Sequence, residues 1–249
     1  MRFLVPLAAA LLAAGCLPQP ESVPGRAPPT LPRAAAAPVV AIDPGHPSET
    51  SAGTVQNGVA EVRVAWQVAQ KLRDSLTASG YRVVLTKARE DERVTNRERA
   101  RIANEAGAAV LVRLHCDASA GSGFALYHPD RQGTAQGVTG PSAAVIARSR
   151  EAAEALHSGM AGVLTGRLRD GGIHGDSRTY VGSRQGALTG SIFSRVPVVT
   201  VEMAVLTSPP DARFIASAQG QETMARAIAA GIRRLVPVPR TSRWPPPAR

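Results

Sequence analysis

Cysteine is nearly missing. Cys16 and Cys116 are the only two in 249 residues, too few for a disulfide framework. Lysine is almost as scarce: Lys71 and Lys87 stand alone, so arginine carries the net charge of +10. Aromatic residues make up only 4% of the chain. With no dense basic stripe interleaved with aromatics, nucleic acid is disfavoured as a partner. The tails hold six of the 29 basic residues and one acid, Glu21, so tails and central body share the excess equally. What remains for such a surface is an anionic polymer, an anionic membrane face, or plain solvation. The apolar run from Phe3 to Gly15 is shorter than the roughly 20 residues that span a bilayer. No internal repeat is visible.

What is present at the start fits export. One arginine, the short apolar run, and the small residues Ala13, Ala14 and Gly15 precede Cys16. This reads as a lipoprotein-type signal peptide over residues 1–16, with Cys16 as the lipidated first residue of the mature chain and its link to a membrane. The expected location is the periplasm or cell envelope. Residues 17–38 contain seven prolines and read as an extended, semi-rigid linker. Residues 236–249 read as a disordered Pro-rich tail.

The body, residues 39–235, alternates short β-branched runs with helical periodicity. Strands are expected at 39–43, 81–86, 108–115 and 196–203, with another at 124–128. Helices are expected over 59–79, 92–106, 142–169 and about 211–235. Alternation of this kind predicts a three-layer α/β domain with a mainly parallel sheet of about six strands flanked by helices. In such sheets ligands collect at the carboxyl ends of the strands. His46 lies just past the first strand, His115 at the end of the third and Glu202 near the end of the last.

Glu61 joins them from a helix. The apolar stripe Ala65, Val68, Leu72, Leu76 extends backward to Glu61, whereas Arg63, Gln67, Gln70, Asp74 and Thr77 form the polar face. A carboxylate on the inner face needs a partner or a metal, although one in the first helical turn also complements the helix dipole. Two histidines and a glutamate form a catalytic zinc set with an open position, and a further carboxylate is needed to move the proton.

Four separated motifs now carry a resemblance. "VVAIDPGH", Glu61, "VLVRLHCDAS" and "VPVVTVEMAVLTS" occur in the order and spacing of the zinc-dependent N-acetylmuramoyl-L-alanine amidases, type 3. The segment "RERARIAN" resembles the helix between the family's second and third motifs. The resemblance implies Zn2+ held by His46, Glu61 and His115, Glu202 as the catalytic carboxylate, and a mainly parallel sheet. It also implies a peptidoglycan substrate cut between N-acetylmuramic acid and L-alanine, for wall remodelling or daughter-cell separation. A protein activator is neither implied nor excluded. Other readings are an inert wall-binding lipoprotein on the same fold, and a zinc peptidase acting on another stem-peptide amide.

The chain departs from the family in places. Pro47 and Ser48 follow the first histidine where two glycines are usual. Arg113-Leu114-His115-Cys116-Asp117 stands for Ser-Ile-His-Ala-Asn. Ala204 to Ser208 replaces Gly-Phe-Leu-Ser-Asn. Cys116 alternates away from His115 and is expected in the core. His128 closes a strand, His157 is expected on a helix surface, and His174 falls in a Gly-rich loop where Arg178 faces stem-peptide carboxylates or only solvent. Residues 129–141 are too short to hold an inserted autoinhibitory helix.

Overall fold

The computed structural model describes residues 36–238. The expected signal peptide with Cys16, nearly all of the expected linker and most of the expected tail lie outside the described residues. The strands are β1 (Val39–Pro44), β2 (Val55–Gln56), β3 (Val59–Ala60), β4 (Arg82–Leu85), β5 (Val110–Asp117), β6 (Phe124–His128), β7 (Gly133–Ala135), β8 (Val138–Gly140), β9 (Asp170–Gly175) and β10 (Val198–Val205). The helices are α1 (Glu61–Ala78), α2 (Asn96–Glu105), α3 (Ala143–Leu164), α4 (Tyr180–Gln185), α5 (Thr189–Ile192), α6 (Pro209–Ala216) and α7 (Ala218–Leu235).

Six strands form one sheet in the order β4-β1-β5-β10-β6-β9. β4, β1, β5 and β10 are parallel neighbours, β6 runs antiparallel to β10, and β9 runs parallel to β6. The sheet is therefore mixed but mostly parallel. One face packs on α1, α3 and α7 through Ile42, Val112, Leu114, Val201, Leu72, Leu156 and Ile228, all completely buried. Burying each such side chain stabilises by about 1.5–3 kcal/mol. The other face has a smaller apolar contact with α2, made by Ala41, Ala103, Ala108, Leu111 and Val198. This second face carries the polar residues.

Some expected boundaries move for local reasons. α2 starts at Asn96 rather than 92 because the Thr95 hydroxyl caps it, accepting from Glu98 N at 3.1 Å. The long helix expected over 142–169 ends at Leu164. The helix expected over 211–235 is two helices, broken at Ser217, whose hydroxyl caps α7.

The Gly-rich loop expected around His174 is instead an edge strand, β9. Glycine hides its strand character. Gly172 has φ of +80° within a register shift between β6 and β9, a bulge that a residue with a Cβ would strain. The first residues of the expected tail are ordered against the domain. Val236 and Val238 pack against the core, and Tyr81 donates to the Val236 carbonyl at 2.6 Å.

Candidate metal centre

β1 delivers the chain to the rim of the sheet and turns sharply at Gly45-His46. Gly45 N donates to the Leu114 carbonyl at 2.8 Å. A Cβ on Gly45 would lie 2.6 Å from the His115 ring and 2.7 Å from the Leu114 oxygen, so only glycine lets the two motifs touch. His46 itself has φ of +51°, a left-handed conformation that needs support from its surroundings.

That support is a buried ionic cluster. Asp43 is fully buried. It accepts from Arg99 Nη1 at 2.5 Å and from Arg113 Nε at 2.8 Å, and also from the Thr86 hydroxyl. Burial pushes its pKa up, but the two guanidinium groups and the hydrogen bonds hold it well below the usual carboxylate range. Arg99 also donates to the carbonyls of Pro44 (2.7 Å), Pro47 (2.9 Å) and Val94 (3.0 Å). Lys87 donates to the His46 carbonyl and to that of Glu90. Arg113 reaches Asn96 Oδ1 at 2.7 Å, and Asn96 N donates to Glu49 at 2.9 Å. The loop bearing His46 is thus clamped to α2 through its backbone oxygens.

Glu61 arrives from the other side. An Asn57-Gly58 turn joins β2 to β3, and Asn57 Nδ2 donates to the Leu206 carbonyl at 2.8 Å. α1 then starts at Glu61, which is buried. Its Oε2 accepts from Thr54 N at 3.1 Å and its Oε1 from Cys116 N at 3.2 Å. The same Oε1 lies 3.3 Å from His46 Nε2 and 3.0 Å from His115 Nδ1. Burial favours the neutral acid, yet the two imidazoles hold Glu61 well below its ordinary value. Burial also lowers the His115 pKa, against the pull of Glu61, so this ring is neutral and keeps a lone pair. His46 Nδ1 faces the Ser51 carbonyl at 3.3 Å. A carbonyl only accepts, so that nitrogen carries the proton and Nε2 is the free donor atom.

The ligand atoms of His46, Glu61 and His115 lie within 4.8 Å of one another. Two imidazole nitrogens and a carboxylate form a donor set suited to a divalent ion such as zinc, and this trio fits one. Cys116 points to the opposite face, where it is buried in the core. Burial raises its thiol pKa well above the ordinary value, and it is not part of the group.

Glu202 is the register partner of His115 on the adjacent strand β10. Its Oε2 is buried without a hydrogen-bond partner among the described residues. Burial, then the negative charges of Glu61 and Asp117, push its pKa well above the usual range, with Arg113 opposing. A cavity of about 220 Å3 opens beside it, lined by Asp117, Gly123, Arg169, Gly171, His174 and Glu202. Two larger cavities, about 430 and 510 Å3, contain neither histidine nor cysteine in their linings.

The remaining histidines separate. His128 ends β6. His157, expected on a helix surface, is half-buried and pairs with Asp170 at 2.8 Å. His174 lines the cavity next to Glu202. The cluster of Asp43, Arg99 and Arg113 was not singled out by the sequence. Its signal was an acid and a base, Asp43 and Arg113, each interrupting an apolar strand.

The family model described as N-acetylmuramoyl-L-alanine amidase, the type 3 amidases, matches residues 40–234. The chain belongs to this family. Among relatives, the N-acetylmuramoyl-L-alanine amidase CwlM of Mycobacterium tuberculosis is 28% identical over 208 residues, covering 79% of this chain and 44% of that protein. The amidase LytC of Bacillus subtilis is 28% identical over 187 residues, covering 75% of this chain and 33% of LytC. The chain therefore spans less than half the length of either relative. In fold, this amidase-family chain is similar to the amidase Ami1 of Mycobacterium smegmatis. The TM-score is 0.68 at 22% identity, covering 82% of this chain and 98% of Ami1.

Proposed function

We propose that the protein is an exported zinc-dependent N-acetylmuramoyl-L-alanine amidase that cuts peptidoglycan. The observation that carries this reading is the convergence of His46, Glu61 and His115 on one point, next to a carboxyl with a buried, unpartnered oxygen, Glu202. The three side chains would hold a zinc ion, which would supply Lewis-acid chemistry toward the amide carbonyl and the attacking water. The chain's own residues do the rest. Glu61 keeps its negative charge because of the two imidazoles beside it, and Thr54 N fixes its second oxygen. His46 is oriented by the Ser51 carbonyl.

Glu202 receives a proton from the attacking water and delivers it to the departing amide nitrogen. The C–N bond breaks, the lactyl group of N-acetylmuramic acid leaves as a carboxylate, and the stem peptide leaves with a free L-alanine amine. A carboxyl with a raised pKa suits the second step, since it is a competent acid near neutrality. Export to the cell envelope is supported by residues 1–16, with a lipid on Cys16 and the Pro-rich linker 17–38 reaching from the membrane. The process served is wall remodelling or daughter-cell separation.

The test is incubation of the metal-loaded protein with purified sacculi. Wild type is expected to release stem peptides with a free L-alanine amine, identified by mass. Glu202→Ala is expected to keep its metal and lose cleavage. Fragments cut at a different amide would replace this reading with a peptidase, and binding without release of fragments would leave a wall-binding protein.

A further inference from the structure

Across the sheet, the functional side chains follow the strand order. His115 is on β5, Glu202 on β10, Tyr127 on β6 and His174 on β9. Thr200, Tyr127 and His174 are register partners in one row on the polar face, one step inward from Glu202 and Ala125. The rings of Tyr127 and His174 are 5.3 Å apart. His174, at one end of this row, also lines the cavity beside Glu202.

Arg178 stands next to His174. Its Nη1 lies 3.1 Å from His174 Nδ1, and His174 Nε2 lies 2.9 Å from the Gly171 carbonyl. The carbonyl can only accept, so Nε2 carries the proton and Nδ1 accepts from the guanidinium. Arg178 is thus held by a neutral acceptor, which fixes its direction and leaves its charge uncancelled. Among the described residues it makes no ion pair. The paired arginines Arg99, Arg101 and Arg150 show the contrast. The charge is felt at Tyr127, whose hydroxyl pKa is pushed up by burial, Glu202 and Asp117, and pulled back by Arg178.

The turn that presents Arg178 is rigid, although the side chain is exposed. Ser177 donates from its backbone N (3.0 Å) and hydroxyl (2.6 Å) to the Asp130 carboxylate. Asp176 is fully buried and accepts from Leu188 N at 3.1 Å. Its carbonyl accepts from Thr179 N at 2.9 Å and from the Thr179 hydroxyl at 2.7 Å. Two anchored carboxylates therefore brace a three-residue turn whose outward product is one unpaired guanidinium.

We infer that Arg178, oriented by His174, is the residue that recognises a free carboxylate of the stem peptide. This rests on the proposed amidase reading. In that reading Glu202 protonates the leaving amine, so the peptide extends from Glu202 away from His115, toward β9. Two strand spacings across and one row along the strand separate Glu202 from His174, about 12 Å. An extended peptide covers that distance in about four residues. The guanidinium therefore meets a carboxylate in the first few residues beyond the scissile bond, and pairs with it as a charge-assisted fork.

The experiment compares purified sacculi with sacculi whose carboxylates have been amidated using carbodiimide and ammonia. Wild type is expected to show a lower apparent KM on untreated sacculi. Arg178→Ala is expected to raise KM on untreated sacculi by about tenfold, keep kcat, and lose the preference between the two substrates. Arg178→Lys should recover part of the preference. His174→Ala should weaken it, since it releases the guanidinium. Arg150→Ala, on α3 at the opposite face, controls for loss of one positive charge and should behave as wild type. Metal content and melting temperature check that each variant is folded and loaded. A preference that survives in Arg178→Ala, or a wild type that cuts both substrates equally well, overturns the inference. No cleavage of either by wild type would instead refute the amidase reading.

Discussion

The two sides of the rim treat the same side chain in opposite ways. On one side Glu61 is buried, accepts from two backbone N–H groups and lies against two imidazoles. On the other, the neighbouring Glu202 keeps one buried oxygen that has no partner among the described residues. The surroundings favour the ionised form of the first carboxyl and the protonated form of the second. Burial alone raises both. The neighbours decide the difference, and each environment suits its own chemistry, charge to grip a cation or a proton to hand over.

Removing either carboxyl breaks the comparison most severely. Glu61→Ala is expected to reduce bound metal from near stoichiometric to near zero by elemental analysis, and cleavage with it. Glu202→Gln is expected to keep the metal and lose sacculus cleavage by about a hundredfold or more. Equal metal loss in both variants would mean that the two sites share one role.

The next largest effect concerns the clamp behind His46. Asp43→Asn leaves Arg99 and Arg113 buried without their shared anion, and should destabilise the fold by about 3–5 kcal/mol in denaturant titration. The sign of its pH dependence follows from the depressed pKa. Asp43 contributes stability above its unfolded value of 3.8, and that contribution disappears as pH falls toward the folded pKa.

Gly45→Ala should cost about 1–3 kcal/mol through overpacking against His115, with weaker metal binding measured by competition with a chelator. No change in metal affinity would mean that the rim tolerates a shift of the ring.

The gentlest test uses stability of the metal-free protein. Glu202 has a raised folded pKa, so the unfolded chain ionises first as pH rises through the ordinary glutamate range. Wild-type stability should then fall with pH, by up to about 1.4 kcal/mol per pH unit, until the folded pKa is reached. Glu202→Gln should lack this slope and be the more stable protein at neutral pH. Matching slopes would show that Glu202 is solvated.

Much of this rim was legible in the sequence. Glu61 stood on the wrong face of its helix, and burial of Val64, Ala65, Val68, Leu72 and Leu76 confirms that face. His46, His115 and Glu202 fell at strand ends, where an α/β sheet gathers its ligands. What escaped was written in residue types with misleading local preferences. Arg99 is fully buried in a helix so rich in charge that it reads as solvated. β9 is half glycine, and only its pairing with β6 and a bulge at Gly172 make it a strand. Such features are fixed by tertiary partners, which no local pattern records.

The clamp around His46 explains why an unusual stretch is tolerated there. Arg99 and Lys87 hold Pro44, His46 and Pro47 by their carbonyl oxygens, a handle that every amino acid possesses. The path of the chain is thereby insulated from its spelling, so Pro47-Ser48 can stand where kin carry glycines while the imidazole keeps its aim.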